Sequence, residues 1–108
     1  MNSFFAIIIY ATITAYTPSI QECDSTPLIT ASNTKVQTGI VALSRDIEKK
    51  YRLKFGDYIQ IEGYGFYVFQ DRMNKRVKNT IDVFMWNKKE AIKFGRRHKQ
   101  KVLLLKRG

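Results

Sequence analysis

The sequence predicts a small, mostly-β barrel with one or two short helices. Short runs of apolar, β-branched and aromatic residues recur along the chain, and turn-forming residues separate them roughly every ten positions. Only two segments have helical character, and both are short. A chain of 108 residues forms one domain and buries enough surface for a core without metal or disulfide support. This arrangement favours a barrel over a layered βαβ fold.

The first half of the chain contains two strand patterns and one helix. Residues 11–16 alternate like a strand before Thr17-Pro18-Ser19 breaks the pattern. Residues 28–33 are a short extended piece, and residues 39–43 form a compact apolar run of strand length. Ser44 then follows as the predicted cap of a short helix with one apolar face.

The second half contains four further strand patterns. In order, these are Tyr58–Glu62, Phe66–Gln70, Thr80–Met85 and Val102–Leu105. Gly63-Tyr64-Gly65 makes a tight reversal that predicts a hairpin between the first two, and residues 72–79 are polar enough for a loop. Asn87 is placed to cap a helix over residues 88–94, and Gly95 to end it.

The N-terminal segment fits two interpretations. Phe4 to Tyr10 is an uncharged apolar run, typical either of the core of an atypical export signal or of a plain first strand. The run is too short to cross a bilayer as a helix. We therefore divide the chain into residues 1–10, a signal or N-terminal extension, and residues 11–108, the barrel domain.

The charge of the chain is unevenly placed. All nineteen basic residues lie between Lys35 and Arg107 with seven of the nine acidic ones, so this part carries +12. Such a surface favours polyanions, including nucleic acid, acidic polysaccharide, anionic lipid and peptidoglycan, although a solvated basic surface also keeps a small protein soluble. Basic residues are not interleaved with aromatic ones as in a base-stacking platform, so no specific nucleic-acid partner is predicted. Purely electrostatic binding to duplex DNA remains a weaker alternative.

The chain contains one cysteine and one histidine, which excludes several kinds of functional site. Cys23 has no partner for an internal disulfide, and His98 alone cannot supply the usual histidine metal sites or catalytic triads. We predict neither a metal nor a cofactor.

Two aspartates point to a functional site. Asp71 and Asp82 lie eleven residues apart, each within or at the end of a strand-like run where a carboxylate is costly unless it is satisfied or used. In the second run, the period of two places Asp82 on one face, with Ile81 and Val83 on the opposite one. The alternative is structural, with each carboxylate binding backbone amides.

Several short segments, read in order, resemble the three-aspartate domain, a double-psi β-barrel shared with the membrane-bound lytic transglycosylase A family. These segments are Thr14-Ala15-Tyr16-Thr17-Pro18, Thr30-Ala31-Ser32, Gly39-Ile40-Val41-Ala42-Leu43, Ile61-Glu62-Gly63-Tyr64-Gly65, Gln70-Asp71, Ile81-Asp82-Val83 and Ala91 with Phe94-Gly95-Arg96-Arg97. The resemblance covers residues 11–105 and implies a six-stranded double-psi barrel. The chain departs from the family where Ser44 stands in place of its first aspartate, with Asp46 two residues later, and where residues 72–76 replace a glycine-rich loop.

The resemblance implies cleavage of the β-1,4 bond between N-acetylmuramic acid and N-acetylglucosamine in peptidoglycan, with formation of 1,6-anhydro-muramic acid. Asp82 would be the general acid/base, Asp71 would orient it or stabilise charge, and Asp46 would line the same groove unless it merely favours the helix start. The residues implied for substrate binding are Tyr16, Thr30, Tyr64 and Asn74. The implied partner is the peptidoglycan glycan strand, in a secreted or cell-envelope location. The alternative is a non-catalytic module that binds the cell wall.

The implied activity requires a carboxyl group with a raised pKa and favours aromatic side chains that stack on sugar rings. A general acid working near neutral pH needs a raised pKa, which burial or a neighbouring carboxylate provides. Tyr64, Tyr67 and Trp86 are candidates to stack on sugar rings, although strand aromatics more often fill a core.

Overall fold

Six strands and two short helices make up the described part of the chain, which comprises residues 4–17, 30–32 and 38–107 of a computed structural model. In chain order they are β1 (Phe4–Tyr16), β2 (Ile40–Leu43), α1 (Arg45–Lys50), β3 (Tyr58–Ile61), β4 (Gly65–Arg72), β5 (Thr80–Phe84), α2 (Lys88–Phe94) and β6 (Arg97–Arg107). The mostly-β class and both helices are confirmed.

The six strands close into a barrel in the order β1-β5-β2-β4-β3-β6. The pairs β1–β5 and β2–β4 are parallel, and the other neighbours are antiparallel. Such a closed mixed barrel removes most free strand edges. Its strand number and mixed pairing are consistent with the double-psi barrel that the resemblance implies.

Strand β1 begins at Phe4, so residues 4–10 form part of a first strand, the second of the two interpretations given for the N-terminal segment. Its first part pairs with β6, from Phe4 opposite Arg107 to Ala11 opposite Gln100. Its second part pairs with β5, from Thr12 to Tyr16. The division at residue 10 and removal of a signal stay predictions.

The barrel interior is filled by alternate side chains of the strands. Ile13, Val41, Phe69 and Ile81 are fully enclosed, as are several aliphatic residues of β3 and β6. Burying one such side chain stabilises the fold by about 1.5–3 kcal/mol. The opposite faces of the same strands are left to build the site.

The predicted cap of α2 at Asn87 is confirmed, whereas the predicted cap of α1 at Ser44 makes no cap bond. The Asn87 side chain accepts a 3.0 Å hydrogen bond from the Glu90 N–H, and α2 ends before Gly95 at φ 65°, as predicted. Ser44 stands at the N-cap of α1, but its side chain makes no cap bond to this helix. Its hydroxyl instead accepts from the Thr80 N–H at 3.0 Å.

Turns and strand ends account for the remaining differences. The β3–β4 hairpin is confirmed, whereas the loop after β4 begins one residue later than predicted because the strand reaches Arg72. The predicted extended piece over residues 28–33 is described only at residues 30–32, which include a turn; the rest lies outside the described residues.

Candidate functional site

Four side chains form a row across the outer face of four neighbouring strands. Thr14 of β1 pairs with Asp82 of β5, Asp82 pairs with Ala42 of β2, and Ala42 pairs with Asp71 of β4. Neighbouring strands lie about 4.8 Å apart, so the two aspartates are two strand spacings from each other with a methyl group between them. The Ala42 side chain between the two carboxylates is buried, with 3% of its surface exposed.

A β-bulge turns Asp71 onto this face. Val41 pairs with Phe69 and Ala42 with Asp71, so β4 has one extra residue, Gln70, at this point. Phe69 points into the core, and without the bulge the period of two would point Asp71 inward as well. A bulge changes the direction of the following side chain, so it brings Asp71 to the face that carries Asp82.

Among the described residues, three hydrogen bonds hold the Asp71 carboxylate. One carboxylate oxygen accepts from the backbone N–H groups of Ala31 and Arg72, both at 2.9 Å, and the other accepts from the Tyr16 hydroxyl at 3.3 Å. The Ser32 N–H donates to the Gln70 carbonyl beside it at 3.1 Å. Residues 30–32 are thereby fastened to the bulge, and the Asp71 carboxylate is fixed in direction.

Asp82 occupies a different environment. Among the described residues, its side-chain hydrogen-bond partner is Thr14, whose hydroxyl donates to a carboxylate oxygen at 2.7 Å, and Asp82 is half-buried. Burial raises the pKa of Asp82 from the ordinary 3.8 to about 6, with a smaller upward contribution from the Asp71 charge, whereas Thr14 and Arg96 lower it. Among the described residues, Asp82 therefore has the carboxyl group suited to carry a proton near neutral pH.

Tyr16 joins the two carboxylates into one electrostatic site. Burial and the nearby charges of Asp71 and Asp82 raise the pKa of the Tyr16 phenol far above its usual range. The phenol consequently stays protonated and acts as a hydrogen-bond donor at any physiological pH. Of the residues implied for substrate binding, Tyr16 is in direct contact with an acid of the pair, because its hydroxyl donates to Asp71.

The other three residues implied for substrate binding lie in three separate loop or turn segments. Thr30 is buried beside Ala31, and its hydroxyl is 3.0 Å from that of Ser32. Tyr64 sits at the β3–β4 turn, where its ring packs on Phe94 at 5.5 Å. The Asn74 carboxamide accepts from a backbone N–H within its own loop at 2.9 Å. Within the described ranges, neither Tyr64 nor Asn74 has a recorded contact with the acid pair.

Asp46 lies in the first turn of α1, and its carboxylate stabilises that region through hydrogen bonds. Its carboxylate accepts from the Asn79 N–H at 2.9 and 3.2 Å. Burial works against ionisation, but hydrogen bonds from the Ser44 hydroxyl and from Asn79 outweigh it and lower the pKa of Asp46. In the described part of the chain, no three His, Cys, Asp or Glu side chains are grouped closely enough to hold a metal ion. Asp46 thus does not join Asp71 and Asp82 in such a group.

A line of aromatic rings leads from the acid pair to solvent. The Tyr16 ring meets Phe84 edge-on at 5.5 Å between centroids, and Phe84 meets Trp86 edge-on at 4.7 Å. Phe84 is buried, whereas Trp86 is 59% exposed. Trp86 is the chain's single tryptophan and offers an open indole face near the site.

Sequence reasoning missed three residues of this site. Thr14 and Arg96 stand in segments that carry the resemblance, yet nothing in the pattern marks them as partners of Asp82. Ala42 reads simply as strand interior. Thr14 and Ala42 are identified only when the strand register is known, because the row of side chains crosses four strands that are distant in sequence. Arg96 is identified only when the segment between α2 and β6 is placed near Asp82.

Compared with known proteins, the sequence matches no protein-family model, and no curated protein matches it either. None of the described helices has the length and apolar content needed to span a membrane.

Proposed function

We propose that this chain is a peptidoglycan-cleaving lytic transglycosylase of the three-aspartate type, with Asp82 as its general acid/base. The observation that carries the proposal is the half-buried Asp82 carboxyl with a raised pKa, on the same barrel face as the Asp71 carboxylate. Two carboxyl groups with unlike environments are the usual arrangement for glycosidic bond cleavage.

The reaction runs on one proton. The Asp82 carboxyl donates it to the glycosidic oxygen as the bond from that oxygen to C1 of N-acetylmuramic acid breaks. The 6-hydroxyl of the same sugar then forms a bond to C1, and the Asp82 carboxylate takes the proton that this hydroxyl releases. The products are a 1,6-anhydro sugar end and a free hydroxyl on the leaving chain, and no water is consumed.

The pKa of Asp82 suits both halves of this cycle. A pKa of about 6 leaves roughly a tenth of the molecules protonated at pH 7, while the conjugate carboxylate remains a useful base. Thr14 donates to the same carboxylate and fixes its direction. The group is therefore held in place in both protonation states.

Asp71 supplies negative charge rather than a proton in this proposal. Its three donors hold the carboxylate in place on the face it shares with Asp82. A fixed negative charge stabilises the oxocarbenium-like character that develops at C1. The same charge contributes to the raised pKa of Asp82.

Trp86 is proposed as a sugar-stacking surface next to the acid pair. Its exposed indole is supported from below by the buried Phe84 ring, so little side-chain freedom is lost when a flat ligand stacks on it. The excess positive charge of the chain favours the anionic polymer.

Digestion of purified bacterial sacculi tests the proposal. We expect soluble muropeptides ending in 1,6-anhydro-muramic acid, identified by mass spectrometry as lacking one water relative to hydrolytic products. The Asp82→Asn variant, checked for native folding, is the control and should release none. Absence of soluble products from the wild-type chain contradicts the proposal, as do products with reducing ends.

A second candidate is a cell-wall binding module without activity, which the exposed Trp86 and the net charge of +10 also favour. This candidate predicts that the wild-type chain sediments with sacculi at physiological salt and releases nothing. Failure to sediment would exclude it.

A further inference from the structure

The first part of β1 has a free edge among the described residues. Residues 4–11 pair with β6 on one side, whereas pairing with β5 on the other side begins only at Thr12. Ahead of that point β1 is the outer strand of the described sheet, with β6 beside it and β3 paired to the far side of β6. A strand that is paired on one side presents unused backbone N–H and C=O groups to any other strand.

The direction in which these backbone N–H and C=O groups point follows from the contacts around Tyr10 and Lys101. The Lys101 carbonyl accepts from the Glu62 N–H at 3.0 Å and so faces β3, which means that its β1 partner Tyr10 faces away from β6. The Tyr10 carbonyl indeed accepts from the Asn79 side chain at 3.2 Å. Backbone groups alternate in direction, so those of Ile8 point to the same open side.

An open groove of about 440 Å³ accompanies this edge. Ile8, Ile9, Tyr10, Asp46, Ile47, Lys50, Tyr51 and Asn79 line it. Its lining is mixed, because three isoleucines and two tyrosines lie beside Asp46, Lys50 and Asn79. A free edge beside a groove is the combination by which a sheet accepts an added strand, because backbone bonds hold the strand and the groove takes alternate side chains.

We infer that this edge pairs with the same edge of a second copy of the chain. The contact then falls within residues 1–34, which contain no Lys or Arg, so the contacting strands add no positive charge where two molecules of charge +10 meet. Strand β1 has no charge, proline or glycine, the devices that normally protect an edge. Phe5, Ile8 and Tyr10 are 57%, 56% and 59% exposed, and the pairing covers them.

Antiparallel pairing about a two-fold axis satisfies both copies equally. Ala6 shares the open side with Ile8, so a register centred on Ala6 places it opposite Ala6 of the second copy. The pairing involves a few residues per chain and buries less than the roughly 1,600 Å² of a standard interface. A dimer with a dissociation constant on the order of 10–100 μM is therefore expected.

Sedimentation equilibrium of the full chain, from about 5 to 500 μM, tests the inference. The wild type should show a monomer–dimer equilibrium. Ile8→Lys should raise the dissociation constant at least tenfold, while Ile92→Lys, an equal charge change at a side chain 70% exposed on α2, should leave it within twofold. Ala6→Pro, which removes only an outward N–H, should act like Ile8→Lys, and thermal melts verify that all variants fold.

Three results would overturn the inference. They are a wild-type monomer throughout the range, equal weakening by Ile8→Lys and Ile92→Lys, and species larger than a dimer, which indicate open-ended association.

Discussion

Asp82 and Asp46 show how differently one barrel treats the same side chain. Asp82 lies half-buried within β5, the Thr14 hydroxyl donates to its carboxylate, and its pKa rises to about 6. Asp46 lies in the first turn of α1, where the Asn79 N–H and the Ser44 hydroxyl bind its carboxylate, and its pKa falls. The one is poised to hold a proton and the other to remain ionised.

The comparison shows that the number of hydrogen-bond donors decides whether the pKa of a partly buried aspartate rises or falls. Desolvation raises the pKa at both positions, and only at Asp46 do hydrogen bonds to the charged form outweigh it. A carboxylate whose desolvation is not fully compensated by hydrogen bonds lowers the stability of the fold, and such a group is a candidate catalytic residue. The Asp46 region is built for stability instead.

The largest expected effect is on sacculus cleavage. Asp82→Asn should lower the rate at least 100-fold, because general acid/base catalysis contributes about 10²–10⁴. Asp46→Asn should keep the rate within about threefold of the wild type, since its carboxylate serves the Asn79 turn. Rates of anhydro-muropeptide release from one sacculus preparation provide the measurement, and equal losses in both variants would contradict the distinction.

Stability against pH should change in opposite directions for the two aspartates. The folded-state pKa of Asp82 exceeds its unfolded value, so the native state binds the extra proton and stability falls as pH rises from about 4 to 6. The whole effect is about 2–3 kcal/mol, and Asp82→Asn should remove it.

The folded-state pKa of Asp46 is lowered, so its contribution is present above the ordinary range and is lost as pH falls through the folded value. Asp46→Asn should therefore destabilise the protein at pH 7 and progressively less in acid. Urea unfolding at pH 3, 5 and 7 measures both variants. A flat Asp82→Asn minus wild-type difference would argue against the raised pKa.

A smaller effect is expected from the donor to Asp82. Thr14→Val removes the hydroxyl that binds the ionised carboxylate, so the pKa of Asp82 should rise further, by about one unit. The alkaline limb of the pH–rate profile should move up accordingly. Thr12→Val is the control, because its hydroxyl contacts the His98 ring instead. An unmoved Thr14→Val profile would mean that Asp82 does not set this limb.

The smallest effect concerns the aromatic surface. Trp86→Ala should weaken sacculus binding about three- to tenfold, the loss expected for one stacking contact of about 1 kcal/mol. Ile92→Ala removes a comparably exposed apolar side chain from α2 and should have no effect. Co-sedimentation at several protein concentrations measures both, and equal affinities would remove Trp86 from the site.

Much of the fold could be predicted because its signals are local. The cap at Asn87, the turn at Gly63–Gly65 and the apolar alternation around Ile81 each depend on residues a few positions apart. Ser44 shows the limit of this reasoning. Its type and position predict a helix cap, yet its hydroxyl bonds to Thr80, thirty-six positions away.

The candidate site was harder to predict. Asp71 and Asp82 stand out by their cost in strand-like sequence, but the partners that distinguish them, Thr14, Ala42 and Tyr16, come from other strands. Asp46 shares their residue type without sharing their location. Residue type and spacing carry no information about which strands become neighbours.

By itself, the sequence determined a basic, mostly-β chain with two short helices and a pair of carboxylates in strands, because composition and short-range periodicity act through neighbouring residues. Tertiary structure decided that the bulge at Gln70 turns Asp71 onto the Asp82 face, and that, among the described strands, the first part of β1 pairs on one side. Both depend on register between distant strands, where a shift of one residue reverses the face to which every side chain points.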